Sequence, residues 1–196
     1  MDKNNNIQRH YDQLLARQYT WVFGDVQSRV EENKILFHSL GLGKGPGALA
    51  VDLGCGPGYH SLALNKLGYE VVAVDSSQAF LNELISHDED KRIKTVREDI
   101  CKIRDIVACP ADLVLCMGDT ISLLDSYLDL KELLKDIRQC LSGKGRLILS
   151  FRDQTRALEG VDRILPIKNE HDRVFTCLLD YEKDKICVTD ILYQFF

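Results

Sequence analysis

Residues 51–58 read VDLGCGPG, an apolar strand pattern running into a turn that holds Gly54, Gly56 and Gly58, with a helical pattern starting near Tyr59. Glycines in such a turn remove side chains, so that backbone can approach a ligand closely, and the helix that follows presents unpaired N–H groups. A nucleotide-like ligand is implied. Two ligand classes use this local architecture, and the spacing helps to separate them. The dinucleotide pattern G-x-G-x-x-G/A begun at Gly54 requires Gly or Ala at position 59, where helix and strand pack tightly and a pyrophosphate must fit. Position 59 is tyrosine. The G-x-G-x-G that is present, preceded by Asp52, suits a ligand with an amino acid end, whose ammonium the carboxylate attracts directly or through water.

Outward from this turn, the next strand pattern, VVAVD, ends in Asp75. It lies about 20 residues beyond the first glycine, where a carboxylate can accept both hydroxyls of a ribose. A third pattern ends in Glu98-Asp99-Ile100, and an acidic side chain there can accept from an adenine amino group. Strands are expected at 48–53, 70–75, 93–98, 113–117 and 145–151, with helices starting near Tyr59, Ser77 and Asp125. Short β-branched runs alternating with helical patterns are the signature of a parallel sheet with crossover helices. The clearest helix puts Tyr127, Leu130, Leu134, Ile137 and Leu141 on one face, with Gly143 in the place of a C-terminal cap. After Phe151, two strand patterns at 173–181 and 186–196 flank the polar residues 182–185, a hairpin expected to finish the sheet with two antiparallel edge strands. The chain stops inside an apolar run at Phe195-Phe196, as expected of a sequence truncated at its C-terminus or lacking a last strand.

Toward the N-terminus, residues 6–16 and 25–40 read as helices outside the sheet, and the glycine-rich 41–47, GLGKGPG, joins them to the first strand. Residues 1–47 are thus expected to be a helical cap and linker, and 48–196 the core. GLGKGPG follows no strand and contains no Gly-Lys-Ser/Thr, so it reads as a flexible linker rather than a phosphate cradle. A length of 196 residues favours one domain with an appended piece. With 25 basic and 30 acidic side chains, the net charge of −5 argues against nucleic acid as the main partner. The longest apolar runs, such as 113–117, fall far short of the roughly 18 residues of a membrane span. The opening MDKNNNIQRH lacks the apolar stretch of a signal peptide, so a cytoplasmic protein without membrane contact is expected. Seven cysteines include no C-x-x-C pair and no adjacent histidine cluster, so no metal site is expected.

In these motifs the sequence resembles the class I S-adenosylmethionine-dependent methyltransferases of the small-molecule type, over about residues 48–152. The matching segments are VDLGCGPG, VVAVDSS at 71–77, VREDI at 96–100, ADLVLCMGD at 111–119 and LSGKGRLILSF at 141–151. The resemblance implies a three-layer Rossmann-like α/β fold with a mostly parallel sheet ordered 3-2-1-4-5, and S-adenosylmethionine as cofactor. By that resemblance Gly54, Gly56 and Gly58 form the cofactor loop, and Asp75, with Ser76 beside it, takes the ribose. Asp99 and Ile100 hold adenine, Phe80 borders it, and Cys116 and Met117 lie near the sulfonium. The stretch HYDQLLARQYTWVFG at 10–24 looks like the cap of small-molecule members, with Tyr11, Tyr19 and Trp21 as aromatic candidates. Tyr11 is the preferred lid residue, because a π face stabilises a sulfonium cation by about 1 kcal/mol or more once water is excluded.

Methyl transfer from a sulfonium is an in-line displacement from an activated donor, so alignment of the nucleophile and exclusion of water are the main demands. A protonated amine or a hydroxyl acceptor adds the need for a base, for which His10, His60, Asp119 and His171 are the candidates. No pattern selects among them. The Asn-Pro-Pro-Tyr type of tetrapeptide found in amino-directed nucleic-acid and protein methyltransferases is replaced by Cys116-Met117-Gly118-Asp119, which points to a small-molecule acceptor. Whether its nucleophile is N, O or S is open, as is the oligomeric state. Two other readings stand beside this one. A nicotinamide-dependent oxidoreductase is opposed by Tyr59 and by the absence of an evident substrate domain, whereas a non-catalytic cofactor-binding partner subunit shares every motif.

Overall fold

Five strands, β1 (Leu49–Leu53), β2 (Glu70–Asp75), β3 (Lys94–Arg97), β4 (Ala111–Cys116) and β5 (Leu141–Leu149), pair in parallel in the order β3-β2-β1-β4-β5. Central β1 is buried on both faces, and in register its Val51 lies between Val72 and Val114. The computed structural model describes residues 15–43, 46–108, 110–183 and 185–195, and the chain divides into two compact units between Arg152 and Asp153.

Six helices belong to the first unit among its described residues: α1 (Ala16–Phe23), α2 (Val26–Ser39), α3 (Tyr59–Lys66), α4 (Gln78–His87), α5 (Ile103–Ile106) and α6 (Tyr127–Cys140). Because side chains alternate along a strand, successive residues feed two different cores. Ala50, Val71, Ala73, Leu113 and Leu115 pack with Val30 and Phe37 of α2, Leu62 of α3 and Leu84 of α4. Val51, Leu53, Val74, Val114 and Cys116 pack instead with Ile103 of α5 and with Leu133 and Ile137 of α6. Three of the helices start on side-chain caps that satisfy an orphan N–H. Asp25 accepts from Ser28 N–H at 3.0 Å, Ser77 from Phe80 N–H at 3.4 Å and Ser126 from Asp129 N–H at 3.2 Å.

The structure departs from the sequence reading at two places in the first unit. Helix α6 ends at Cys140 and β5 begins at once, so Gly143 lies within the strand and caps nothing. A register shift between Ala111 and Leu113 lets β5 start early, and a Cβ on Gly145 would come within 2.7 Å of the Ala111 carbonyl oxygen. The glycines therefore serve a bulge and a close backbone approach rather than a helix stop. Helix α1 occupies a stretch, between the expected helices at 6–16 and 25–40, that was read largely without one, and of the expected helix at 6–16 only residues 15 and 16 lie among those described.

In the second unit, the expected hairpin forms from β7 (Arg173–Tyr181) and β8 (Ile186–Gln194). It does not finish the parallel sheet: β6 (Ile164–Glu170) joins it in a separate antiparallel sheet ordered β6-β7-β8. Strand β6 was hidden in the sequence because Pro166 lacks an N–H and the register slips between Pro166 and Lys168, both marks of an edge strand.

Candidate functional site

Strand β1 pairs with β2 on one side and β4 on the other, so the sheet order reverses there, and in open sheets of this kind the ligand crevice lies beyond the carboxyl ends of the strands at that point. Hydrogen bonds tie the loop after β1 to the end of β2. Gly54 and Cys55 donate their N–H groups to the Val74 carbonyl at 2.8 and 3.0 Å. Gly56 N–H donates to Asp75 Oδ2 and Ser77 N–H to Asp75 Oδ1, each at 2.8 Å. The Asp75 carboxylate is thus oriented by backbone from two loops, and since a carboxylate offers about four acceptor positions, it can also accept ribose hydroxyls.

The three glycines of the loop do different work, although all have positive φ. A Cβ on Gly54 (φ +72°) would collide with the side chain of Thr120, and one on Gly58 (φ +92°) with Leu84. Their missing side chains make room for neighbours. At Gly56 (φ +53°) a Cβ would meet nothing within 4 Å, and the same holds at Gly118 (φ +77°), just beyond β4. Bare backbone therefore faces open space on both sides of the crossover point, which is the cradle a closely held ligand needs.

Asp52 is fully buried, with Ser61 Oγ donating to its Oδ2 at 2.6 Å and no partner for Oδ1. Burial pushes its carboxyl above the usual aspartate range, against the opposing pull of nearby His60 and of the Ser61 bond. An orphaned, buried carboxylate oxygen is costly unless a donor meets it, and the ammonium of an amino acid end is a donor of the right kind. The carboxylate acceptors of Asp52 and Asp75 fit the ammonium and ribose hydroxyls of S-adenosylmethionine.

Around this frame Phe80 is buried, and Tyr19 of α1 meets it edge-on at 5.0 Å between ring centroids. Burial raises the Tyr19 phenol to about 12, with Asp75 and Asp119 adding to the rise and Arg29 and Arg152 opposing it. Tyr19 therefore lies within electrostatic reach of both flanks of the crevice. Trp21 is half-buried on the same helix, while Tyr11 and His10 lie outside the described residues. Ser76 is exposed, its carbonyl accepting from Arg97 Nε at 3.2 Å. Asp99 is exposed and caps the short turn Ile100–Lys102, accepting from Cys101 N–H at 2.8 Å, and Ile100 is half-buried against the second core. Cys116 is a fully buried core side chain whose thiol is raised to about 12 by burial, while Met117 packs against the opposite core.

The candidate bases that are described have different local settings. His60, in the first turn of α3, is half-buried with its ring 6.2 Å from that of Phe37, and burial lowers its pKa and favours the neutral imidazole. Asp119 forms an ion pair with the Arg152 guanidinium and accepts from the Arg152 N–H at 3.2 Å. His171 is exposed in the turn between β6 and β7, within the second unit. Sequence reasoning missed Thr120, Ser150 and Arg152. Ser150 Oγ accepts from Gly118 N–H at 2.8 Å across 32 positions of sequence, a contact that no local pattern announces. Among the described residues no group of three metal-ligating side chains occurs, and no helix is long and apolar enough to cross a membrane.

The fold is that of the class I S-adenosylmethionine-dependent methyltransferases. A family profile described as a methyltransferase domain matches residues 50–145, and that segment belongs to the family. No curated protein matches the sequence. Among solved structures, the CcbJ methyltransferase from Streptomyces caelestis is similar with a TM-score of 0.68 at 16% identity, over 95% of this chain and 81% of that one. An S-adenosylmethionine-dependent methyltransferase from Clostridium acetobutylicum gives 0.65 at 16%, over 100% and 82%. CalS10, an amino pentose methyltransferase from Micromonospora echinaspora, gives 0.63 at 14%, over 86% and 77%. At such identities the likeness is one of fold. Neither the profile nor these structures favours the nicotinamide alternative.

Proposed function

We propose that this methyltransferase acts on a small-molecule acceptor, and that its cofactor lies at the crossover point between β1 and β4. The observation that carries the reading is the Asp75 carboxylate, held by Gly56 N–H and Ser77 N–H beside the open backbone of Gly56. S-adenosylmethionine supplies an activated methyl group on a sulfonium. Toward it Asp75 accepts ribose hydroxyls with Ser76 alongside, and Asp52 meets the ammonium. Asp99, Ile100 and Phe80 border adenine, while Cys116 and Met117 offer backbone near the sulfonium. Gly54 and Gly58 hold the loop in shape around Gly56. Residues 1–47 serve as the cap and linker, with Tyr11 and Tyr19 as its aromatic faces over the cleft.

The net charge of −5 and the segment Cys116-Met117-Gly118-Asp119, in place of an amino-directed tetrapeptide, favour a small acceptor over nucleic acid. The amino pentose named for CalS10 is an acceptor of that size. A cytoplasmic site of action is part of the proposal, supported by the free thiols of all the described cysteines. Transfer of labelled methyl from S-adenosylmethionine to a panel of amines, hydroxy acids and thiols tests the reading, with transfer RNA and protein as comparison acceptors. Labelling of one small-molecule class is expected. Labelling of RNA or protein contradicts the small-molecule assignment, and cofactor binding without transfer to any acceptor favours the non-catalytic partner instead.

A further inference from the structure

Thr120 occupies an unusual place between the two loops that flank the crossover point. It opens the short turn Thr120–Leu123 after β4, and its side chain fills the volume that a side chain on Gly54 would take, with Oγ1 2.5 Å and Cβ 3.0 Å from an ideal Cβ there. Its hydroxyl donates to the Met117 carbonyl at 3.2 Å. One half-buried side chain therefore lies against the glycine loop after β1 and is bonded into the loop after β4. The latter is also held from the β5 side, by Ser150 on Gly118 N–H and by the Arg152 pair with Asp119. Gly56 and Gly118, the two glycines that face open space, sit on the two loops so joined.

We infer that Thr120 is a positioning residue: it acts as a wedge that sets the spacing between the cofactor loop and the acceptor-side loop, using the bare face of Gly54 as its seat. The inference rests on the proposed cofactor site. Glycine loops are conformationally free, so a loop without its seat loses order that ligand binding must then restore. The two halves of the threonine side chain separate cleanly. Valine keeps the wedge and loses the hydrogen bond, whereas alanine loses both.

Calorimetric titration with S-adenosylhomocysteine, at a temperature where melting curves show each variant folded, tests the assignment. Thr120→Ala is expected to bind about fivefold more weakly than wild type, and Thr120→Val within about twofold of it. Gly54→Ala alone should weaken binding strongly, by the strain of φ +72° and by collision with Thr120 Cγ2 and Oγ1, and combining it with Thr120→Ala should recover the part of that loss due to those two atoms. Such non-additivity is the mark of a shared volume. A purely structural role would lower the melting temperature and leave affinity in the folded state unchanged. Wild-type affinity in Thr120→Ala, or additive losses in the double variant, overturns the inference. Failure of the wild-type chain to bind S-adenosylhomocysteine removes the cofactor site itself, and the wedge with it. Should Gly54→Ala not fold, the Thr120→Ala and Thr120→Val pair decides alone.

Discussion

Both oxygens of Asp75 are fixed by backbone donors, so orienting this carboxylate costs an incoming ribose little side-chain entropy. Asp75→Ala is expected to weaken S-adenosylmethionine binding about tenfold or more, the value of a charged acceptor worth about 1.5–3 kcal/mol, with Gly56 N–H released as well. Calorimetry on the folded variant checks this, and unchanged affinity removes Asp75 from the site. Gly56→Val should be worse, since a β-branched residue is a strong outlier at φ +53°. Asp52 stores the opposite balance. Its raised carboxyl pKa means that the native state binds a proton more tightly than the unfolded chain, so its contribution to stability falls as pH rises from about 4 toward the raised value. Asp52→Asn should therefore melt higher than wild type at pH 7, with the gap narrowing on acidification, while binding the cofactor more weakly. A variant that melts lower at pH 7 contradicts this. Asp75 and Gly56 were legible because a strand end and a turn glycine announce themselves locally. Thr120 was not, since its meaning lies in Gly54, far away in sequence.

At the scale of elements, caps and periodicity carried the helices, and the measurable share of one cap follows. Ser126 both accepts from Asp129 N–H at 3.2 Å and donates to Asp129 Oδ2 at 2.6 Å at the start of α6. Ser126→Ala should cost about 1 kcal/mol and lower the melting temperature by about 2–4 °C, with cofactor affinity unchanged. An unshifted melting curve shows that the cap contributes nothing. The place of helix α6 could be read from period but its buried face could not: of the expected face only Ile137 is buried, beside Leu133 and Cys140, while Tyr127 is exposed and Leu141 belongs to β5. Strands β1, β2 and β4 could be read as short apolar runs bounded by turn residues. The α6–β5 junction could not, because glycines that usually stop a helix here serve a bulge. Strand β6 escaped for a related reason: Pro166 at a sheet edge erases the alternation by which strands are recognised.

Over the whole molecule, the β/α alternation up to Phe151 determined the parallel sheet and its crossover point, and these determine where chemistry can sit. The separate three-stranded sheet of the second unit depends on pairing that composition does not encode, and the acceptor depends on side chains whose patterns are not shared across methyltransferases. A crystal structure of the chain with S-adenosylhomocysteine tests whether cofactor binds at the carboxyl ends of β1, β2 and β4. Ligand density is expected over Gly56 and Gly118, with the ribose hydroxyls within hydrogen-bond distance of Asp75. Density elsewhere on the chain, or a ribose that makes no contact with Asp75, would contradict it.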